Sequence, residues 1–457
     1  MGPFALTVVA DIDPKRLEEL RGVLAAIDAD MERNPHVRFA ESPSTYFARW
    51  VIVENDPSFS PILVWESNHD LEAPAYIHEL VGLFGPGLRA IYSNCKGWRE
   101  PADDAFVRQF LLDRCIPAAA FYRAYPGQTL GTVRQALAVR QRIQDYLDTH
   151  GDELRTLSKM TIRERIQQHL ADEKVEVPVA NEVPYVPLEV IVDTLTDAAG
   201  SDPGPKRSAA IKIVAALALP AVALGGGGAA LMALNLPLTG AVLSGLGALY
   251  AGSVIGTLGI QRLYELDDDK KRRPLPLSPP SSSALESKED HFSQNQLTHI
   301  VTIRPGMFRL GMLKFAMWGI NGLATLTFNR GHLGRIPTIH FARWVILDNR
   351  RLMFFSNFDG SWDNYLGDLI DKANIGLTLA WSSVEAFPKT YLIVAQGARD
   401  GERFKRWTRH HQIPTQVWYT AFPENNVRTI TNAFRICTGL HASRPSEADV
   451  SAWLQLL

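Results

Sequence analysis

Features that define several common classes of protein are scarce or missing in this sequence. Its 457 residues include only three cysteines, which form neither a metal-spaced pair nor an even disulfide set, so we expect the folded parts to face a reducing compartment. The formal net charge of -2 gives no concentrated basic surface, and we expect no nucleic-acid partner. Signature motifs of zinc proteases, nucleotide hydrolases and α/β-hydrolases do not occur. The sequence therefore gives no support to these enzyme classes.

Charge is also missing locally. Residues 213 to 260 contain no acidic, basic or histidine side chain. One membrane span needs about 20 apolar residues, so the run is too long for a single helix. Asn235-Leu236-Pro237 predicts a turn that divides it into helices at 213–234 and 238–260. Basic residues flank the run on both sides, and the positive-inside rule predicts cytoplasmic ends. The alternative is a buried helical hairpin in a soluble protein.

What the sequence does contain is a repeat. The string Phe-Ala-Arg-Trp-Val occurs at residues 47–51 and again at 341–345. Three further landmarks follow in the same order in both halves, at 66–70 and 355–359, 87–93 and 376–382, and 122–126 and 419–423. Four ordered matches at nearly constant spacing indicate a duplicated domain.

Hydrophobic patterning predicts the same order of elements in each copy: strand, helix, strand, strand, helix, strand. The last of these strands is predicted at residues 88–93 and 377–382. This βαββαβ order is that of a ferredoxin-like fold. Because each sheet would leave one apolar face without helices, the two sheets are expected to cover each other. The predicted fold class is α+β, with two ferredoxin-like repeats in a pseudo-dimeric barrel and an inserted two-helix transmembrane hairpin.

The predicted domains follow from these patterns. Both repeats are expected on the cytoplasmic side of the bacterial inner membrane, in contact with membrane lipid through the hairpin. The start of the chain lacks the pattern of a signal peptide, which agrees with this expectation. The boundaries are repeat 1 at 1–150, an accessory helix and linker at 151–207, the hairpin at 208–264, a Pro/Ser-rich linker at 265–292, repeat 2 at 293–441 and a C-terminal tail at 442–457.

In its order of elements and its duplication, the chain resembles the dimeric α/β-barrel superfamily, which includes dye-decolourising peroxidases, chlorite dismutases and small monooxygenases. Strings of the second copy also resemble an uncharacterised bacterial membrane-protein family. These strings are Thr338 to Trp344, Ser356 to Trp362 and Gln416 to Pro423.

Dye-decolourising peroxidases carry a Gly-x-x-Asp-Gly loop, followed by a proximal histidine and a distal arginine. Asp359 and the glycine after it match the end of that loop, but Ser356 stands where its first glycine should be. The histidines and arginines that follow are His410, His411, Arg428 and Arg435. The resemblance implies a haem cofactor and an oxidoreductase activity of the peroxidase type.

The site implied by this resemblance lies in the second copy. His411 is the expected axial ligand of the haem iron, and His340 is the other candidate for binding the cofactor. Catalytic roles would fall to Asp359, Arg343 and the distal Arg428. The first copy has Tyr46 and Arg114 in place of the two histidines, so chemistry is expected only in the second.

Each candidate also has a structural interpretation. A strand histidine is more often hydrogen-bonded in a core than a ligand, and His411 equally suits the C-terminal end of a helix. Arg343 and Asp359 recur in the first copy as Arg49 and Asp70. A buried arginine–carboxylate pair across each hairpin is therefore expected.

Two hypotheses of different class follow. In the first, the chain is a membrane-anchored oxidoreductase that faces the cytoplasm, uses haem and acts on an apolar small molecule. In the second, it is a noncatalytic membrane-tethered binding or scaffolding protein.

Overall fold

The structure is a computed structural model, and it describes residues 2–54, 56–185, 187, 229, 232, 237–271, 275, 282–287, 289, 293–333, 336–393 and 395–457. The described part is a mixed α/β structure with antiparallel sheets. The first of the two predicted membrane helices, at 213–234, lies outside the described residues except for Ala229 and Met232.

The described strands form two four-stranded sheets and one short hairpin. The first sheet has the order β1-β3-β2-β10 and the second the order β4-β6-β7-β5, and all neighbouring strands are antiparallel. The strands are β1 (Phe4–Asp11), β2 (Thr45–Val53), β3 (Ile62–His69), β4 (Ala120–Arg123), β5 (Gln294–Thr302), β6 (Ile339–Leu347), β7 (Arg351–Asp359), β8 (Thr390–Tyr391), β9 (Ala395–Gln396) and β10 (Val417–Thr420).

The helices follow the strands in the same order in both halves of the chain. Those of the described part are α1 (Leu17–Ala29), α2 (Ala73–Tyr92), α3 (Asp104–Leu112), α4 (Leu130–Leu154), α5 (Lys159–Asp172), α6 (Pro237–Lys271), α7 (Ser282–Glu286), α8 (Met307–Leu326), α9 (Trp362–Trp381), α10 (Gly401–His411), α11 (Val427–His441) and α12 (Glu447–Leu454).

Each sheet includes one strand from the opposite half of the chain. β10, from the second half, pairs with β2, and Trp418 lies opposite Arg49. β4, from the first half, pairs with β6, and Phe121 lies opposite Arg343. Because the fourth strand of each sheet is supplied by the other half, the halves depend on each other for backbone hydrogen bonds.

The two sheets pack face to face. Alternation along the strands directs Val51, Val64, Val345, Met353 and Phe355 into one buried cluster that draws on both sheets. The other face of the first sheet packs on α1, α2 and α3, and that of the second on α8, α9 and α10. Both faces of each sheet are therefore covered.

The strands predicted at 88–93 and 377–382 are wrong. All but the last residue of each run belong to α2 and α9, two helices that each continue past one non-helical residue, Phe84 and Ala373 respectively. Periodicity cannot assign an apolar run of six residues, and here the tertiary structure makes it helical. The fourth strand of each sheet comes from β4 or β10 instead.

Other boundaries differ less. The predicted accessory helix is confirmed as α5. Residues 265–271, predicted as linker, continue α6. The predicted tail contains α12, whose Trp453 indole donates to the Ile436 carbonyl at 3.0 Å. The C-terminal segment is therefore packed against α11.

Among the described residues, one helix is long and apolar enough to cross a membrane. It spans Ala241–Lys271 within α6, and only 6% of its apolar 18-residue stretch is buried within the protein. Leu249 and Ile255 on this helix are 73% and 70% exposed. A 35-residue helix is about 52 Å long, which exceeds the roughly 30 Å hydrocarbon core of a bilayer. A bilayer core would therefore cover only part of α6, and the remaining turns can contact the globular part.

The C-terminal turns of α6 are fixed to the globular part by polar contacts. Asp268 accepts hydrogen bonds from both terminal nitrogens of Arg309, at 2.9 and 2.8 Å. Glu265 accepts from the backbone amides of Leu392 and Ile393, at 2.9 and 2.8 Å. Because several charge-assisted bonds act together, this end of α6 is held in a defined position.

Candidate functional site

Two buried arginines share one carboxylate between the sheets. Arg49 on β2, Arg343 on β6 and Glu66 on β3 are each at most 1% exposed. Arg49 Nε lies 2.8 Å from Glu66 Oε2, and Arg343 Nη2 donates to the other carboxylate oxygen. Glu66 lies opposite Arg49 in the strand register, whereas Phe355 lies opposite Arg343. The second half therefore supplies an arginine but no carboxylate.

The remaining guanidinium donors reach the opposite sheet. Arg49 donates to the Leu297 and Ser356 carbonyls and to the Thr298 hydroxyl, at 3.1 Å each. Because each donor has a fixed direction, these bonds set how one sheet lies on the other. Arg343 makes the corresponding bonds in the first half, to the Leu6 carbonyl at 2.6 Å, the Thr7 hydroxyl at 3.2 Å and the Ser67 carbonyl at 2.6 Å.

This cluster contradicts the role predicted for Arg343. Burial lowers the pKa of Arg343 to about 10, although Glu66 opposes the shift, and burial also lowers the pKa of Arg49. The expected pairs of Arg343 with Asp359 and of Arg49 with Asp70 are wrong, because both guanidinium groups turn towards Glu66. A guanidinium enclosed on all sides cannot reach a substrate, so Arg343 is structural.

Asp359 pairs with His340 instead. His340 is the extra residue of a β-bulge, since Ile339 and Phe341 lie opposite consecutive residues of β7. Its Nε2 lies 2.7 Å from Asp359 Oδ1 and its Nδ1 lies 3.1 Å from the Tyr125 hydroxyl. Both ring nitrogens are engaged within the protein, and His340 does not fit the role of a haem ligand.

The first half contains the same arrangement. Tyr46 is the bulge residue there, and its hydroxyl donates to Asp70 Oδ1 at 2.6 Å. The second oxygen of Asp70 accepts from the Leu130 amide at 2.8 Å, and that of Asp359 accepts from the Val427 amide at the same distance. Both carboxylates thus anchor the N-terminus of a helix, α4 or α11. Both oxygens of Asp359 are therefore engaged by the fold, and its catalytic role stays a prediction.

The structure does not bring the remaining candidates together with Asp359. Arg428 lies at the start of α11 with its side chain exposed. His411 ends α10, and Gln412 after it lies opposite His299 on β5. Asp359 on β7 lies opposite Gln294, which is also on β5. Five residues separate Gln294 from His299, so Asp359 and the end of α10 are about 17 Å apart along β5. The site implied by the peroxidase resemblance is not assembled.

His411 lines an open cleft instead. The cleft has a volume of about 690 Å³ and lies where β2 of one sheet and β5 of the other end. Its walls come from both halves and combine apolar, charged and imidazole groups. Those of chief interest are Ile52, Val53, Ile300, Arg351, His410, His411, Gln412 and Gln416.

Both histidines of the cleft are shifted towards the neutral form. Burial lowers the pKa of His411 to about 4, against the effect of a backbone hydrogen bond to Trp407. His411 Nδ1 lies 2.8 Å from that carbonyl, so the hydrogen on Nδ1 leaves the lone pair on Nε2. Burial also lowers the pKa of His410. At neutral pH the cleft therefore presents uncharged imidazoles, which can accept hydrogen bonds or bind a metal.

A third histidine lies beneath the cleft and was not among the predicted residues. His299 is buried, with its ring 4.6 Å from Trp407 and 5.7 Å from His411. Burial lowers its pKa well below the ordinary value. A cavity of about 10 Å³, close to the size of one water molecule, adjoins it. Its signal in the sequence is a polar residue at an inward position between Leu297 and Val301.

A further buried histidine, His69, replaces an aromatic residue of the other half. Its ring stacks on Tyr76 with centroids 3.7 Å apart, as Phe358 stacks on Tyr365 at 3.9 Å. Burial, and then the charge of Arg343, lower the pKa of His69 to about 3. His69 and Glu66 both fall in a repeated landmark, but the sequence alone gives no sign of their burial.

Metal binding by several side chains finds no support in the part of the chain that is described. It contains no group of three or more His, Cys, Asp or Glu side chains that could hold an ion. A single imidazole suffices for haem iron, because the porphyrin supplies four ligands. Of the predicted ligands, His411 fits that role and His340 does not.

No model of a protein family, no curated protein and no solved structure matches this chain.

Replacing Glu66 by glutamine should strongly destabilise the fold. The variant leaves two buried guanidinium groups without a carboxylate, and breaking a buried pair costs about 3–5 kcal/mol. The free energy of unfolding in detergent measures the loss. Arg428→Ala, at an exposed position, is the control and should change stability little. A loss for Glu66→Gln no larger than that of the control would contradict the cluster.

His69→Phe should make stability less sensitive to acid. The folded pKa of His69 is lowered to about 3, so below about pH 6.5 the unfolded chain binds a proton that the folded chain does not. This group alone removes about 2 kcal/mol of stability between pH 7 and pH 5. The variant, which copies Phe358 of the other half, should retain that amount in unfolding measurements at the two pH values. A pH dependence equal to that of His78→Phe, an exposed control on α2, would contradict the assignment.

Proposed function

We propose that this chain is a membrane-tethered protein whose globular part binds a small molecule in the cleft at His410 and His411. The cleft carries this proposal because its volume of about 690 Å³ lies within the roughly 300–1,000 Å³ typical of ligand sites. It also has neutral imidazoles and amide groups at fixed positions, which can orient a bound molecule. This is the binding hypothesis, without catalysis.

The charges of the cleft indicate the class of ligand. Arg351 donates to Asp348 at 3.1 and 2.8 Å, and Arg21 pairs with Glu54. The two arginines of the wall are therefore already neutralised by carboxylates, and Asp56 and Glu385 add two further carboxylates to the lining. The charges of the lining therefore disfavour an anion. With apolar groups such as Ile300 in the wall, the site suits a molecule without negative charge that has an apolar body and a few hydrogen-bonding atoms.

We propose further that the halves are two ferredoxin-like repeats related by duplication and joined as a pseudo-dimeric barrel of the dimeric α/β-barrel type. The equal strand orders of the two sheets support this, as does the reciprocal exchange of β4 and β10. The bulge residues Tyr46 and His340, each paired with an aspartate, support it independently.

The tether is proposed to be a hairpin through the bacterial inner membrane, with both repeats in the cytoplasm. The uncharged run at 213–260 and its basic flanks support the hairpin. The exposed apolar surface of α6 supports its second helix. Membrane lipid is then the first partner of the chain.

A second candidate is a haem-dependent oxidoreductase of peroxidase type acting on an apolar molecule. One observation favours it: His411 has its Nδ1 on a backbone carbonyl, the arrangement that directs Nε2 to a metal. His411 would then hold the iron, and the haem would supply the redox chemistry. Asp359, Arg343 and His340 would support the fold only.

The two candidates differ in a binding experiment on the detergent-purified chain. A screen of uncharged small molecules should find ligands that raise the unfolding free energy by about 2.7 kcal/mol at 100 times Kd. His411→Ala should lose this effect. Arg114→Ala, the corresponding position of the first half, should keep it. Ligands that stabilise the His411→Ala protein as well would contradict the cleft.

Haemin is tested on the same samples. A Soret band that shifts or vanishes in His411→Ala but not in Arg114→Ala would favour the oxidoreductase. Protein that stays colourless with added haemin would leave the binding function as the better account.

The topology is tested with reporter fusions in bacteria. Fusions after residue 200 and at the C-terminus should both report cytoplasm, because basic residues flank both ends of the hairpin. A fusion after residue 236, in the predicted turn, should report the periplasm. A periplasmic signal at either of the first two positions would overturn the hairpin.

A further inference from the structure

One helix of the globular part presents large apolar side chains to solvent. Met307, Phe315 and Trp318 on α8 are 92%, 61% and 72% exposed. The rings of Phe315 and Trp318 stack with centroids 5.8 Å apart, so they form one continuous patch. Leu313 and Met317, on the other side of α8, are buried in the core. Apolar patches of this kind mark contact surfaces.

The corresponding helix of the first half has no such patch. α1 follows the first strand of its half, as α8 does, and also packs one side on its sheet. Its exposed positions include Glu18, Glu19 and Ala25. The aromatic surface of α8 is therefore not a requirement of the fold.

The segment around α8 carries charge of one sign. Between Asp290 and Asp348 the sequence has no acidic residue, whereas it has several arginines and one lysine. Arg304 and Arg309 are paired with Asp268, and Arg343 is buried with Glu66, so these three are not available to lipid headgroups, whereas the lysine is. That lysine, Lys314, is exposed beside Phe315. An apolar helix face with an exposed basic residue beside it is typical of helices that lie on a membrane containing anionic lipid.

α8 also begins where α6 meets the globular part. The ring of Tyr264 on α6 stacks on Phe308 with centroids 5.6 Å apart, and the Arg309 guanidinium lies 4.5 Å from the centre of the Tyr264 ring. Tyr264 is four residues beyond Ile260, the end of the uncharged run, which corresponds to about 6 Å along the helix. That depth matches the headgroup layer, roughly 5–8 Å thick on each side of the core.

From these observations we infer that α8 lies along the membrane surface, with Phe315 and Trp318 in the interfacial layer and Lys314 at anionic headgroups. The inference rests on the membrane insertion of α6 proposed above. The partner is the bilayer itself, and the contact would hold the globular part in one orientation on it. The cleft would then have a fixed position relative to the membrane.

Spin labels on the full-length chain in lipid nanodiscs test this contact. Trp318→Cys carries the label, and Ala25→Cys on α1 is the matched control, since each exposed position directly follows a buried residue of its helix, Met317 or Leu24. Cys115→Ser removes the partly exposed native thiol. The label at 318 should be relaxed more by oxygen than by an aqueous nickel chelate, and the label at 25 should show the reverse. Equal exposure to nickel at both positions would overturn the inference.

Lipid composition tests the role of charge. Phosphatidylglycerol in phosphatidylcholine nanodiscs should increase the oxygen preference at position 318, and Lys314→Gln should reduce that gain. An effect of phosphatidylglycerol that Lys314→Gln leaves unchanged would count against the headgroup contact. Broadening by a second label on another copy of the chain would assign the patch to self-association and overturn the membrane contact.

A label at Leu249→Cys on α6 separates failure of this inference from failure of the tether. Oxygen preference at 249 together with nickel exposure at 318 would overturn only the contact of α8. Nickel exposure at both positions would overturn the insertion of α6 and the inference with it.

Discussion

The interaction on which the rest of the structure depends is the sharing of Glu66 by Arg49 and Arg343. Each arginine starts in one sheet and ends on carbonyls of the other, so the cluster sets both the distance and the register between the sheets. A buried ion pair adds little net stability compared with apolar packing, but breaking one is costly. We therefore interpret the cluster as a device that selects one arrangement of the sheets and excludes the others.

That arrangement creates the cleft. The end of α10 lies on β5 of the second sheet, where Gln412 is opposite His299, and the chain then crosses to β2 of the first sheet, where Gln416 accepts from the Ile52 amide. His411 thereby meets side chains from the other half, and His299 beneath it becomes enclosed. Neither half alone provides both walls, so the binding site proposed here exists only in the joined structure.

The halves share a backbone plan and differ in the side chains that it carries. The carboxylate of the buried cluster belongs to the first half, whereas the neutral histidines of the cleft and the exposed aromatic surface of α8 belong to the second. The contrasted positions, first half before second, are Glu66 and Phe355, Tyr46 and His340, His69 and Phe358, Val8 and His299, and Arg114 and His411. The second half thus faces both the proposed ligand and the proposed membrane surface.

The sequence by itself determined the class of the fold, the order of most helices and strands, and the apolar helix, because these depend on local periodicity and on runs of residues. Only the tertiary structure decided the rest. An apolar run such as 88–93 reads equally as strand or helix until its neighbours are known, and the partner of a buried charge is set by contacts between residues far apart in the chain. For this reason the sequence suggests Asp359 as the partner of Arg343 and a cofactor as the partner of His340, whereas the structure pairs Arg343 with Glu66 and His340 with Asp359 and Tyr125. The place of His411 in the cleft likewise depends on the packing of two sheets, which no spacing of residues along one strand encodes.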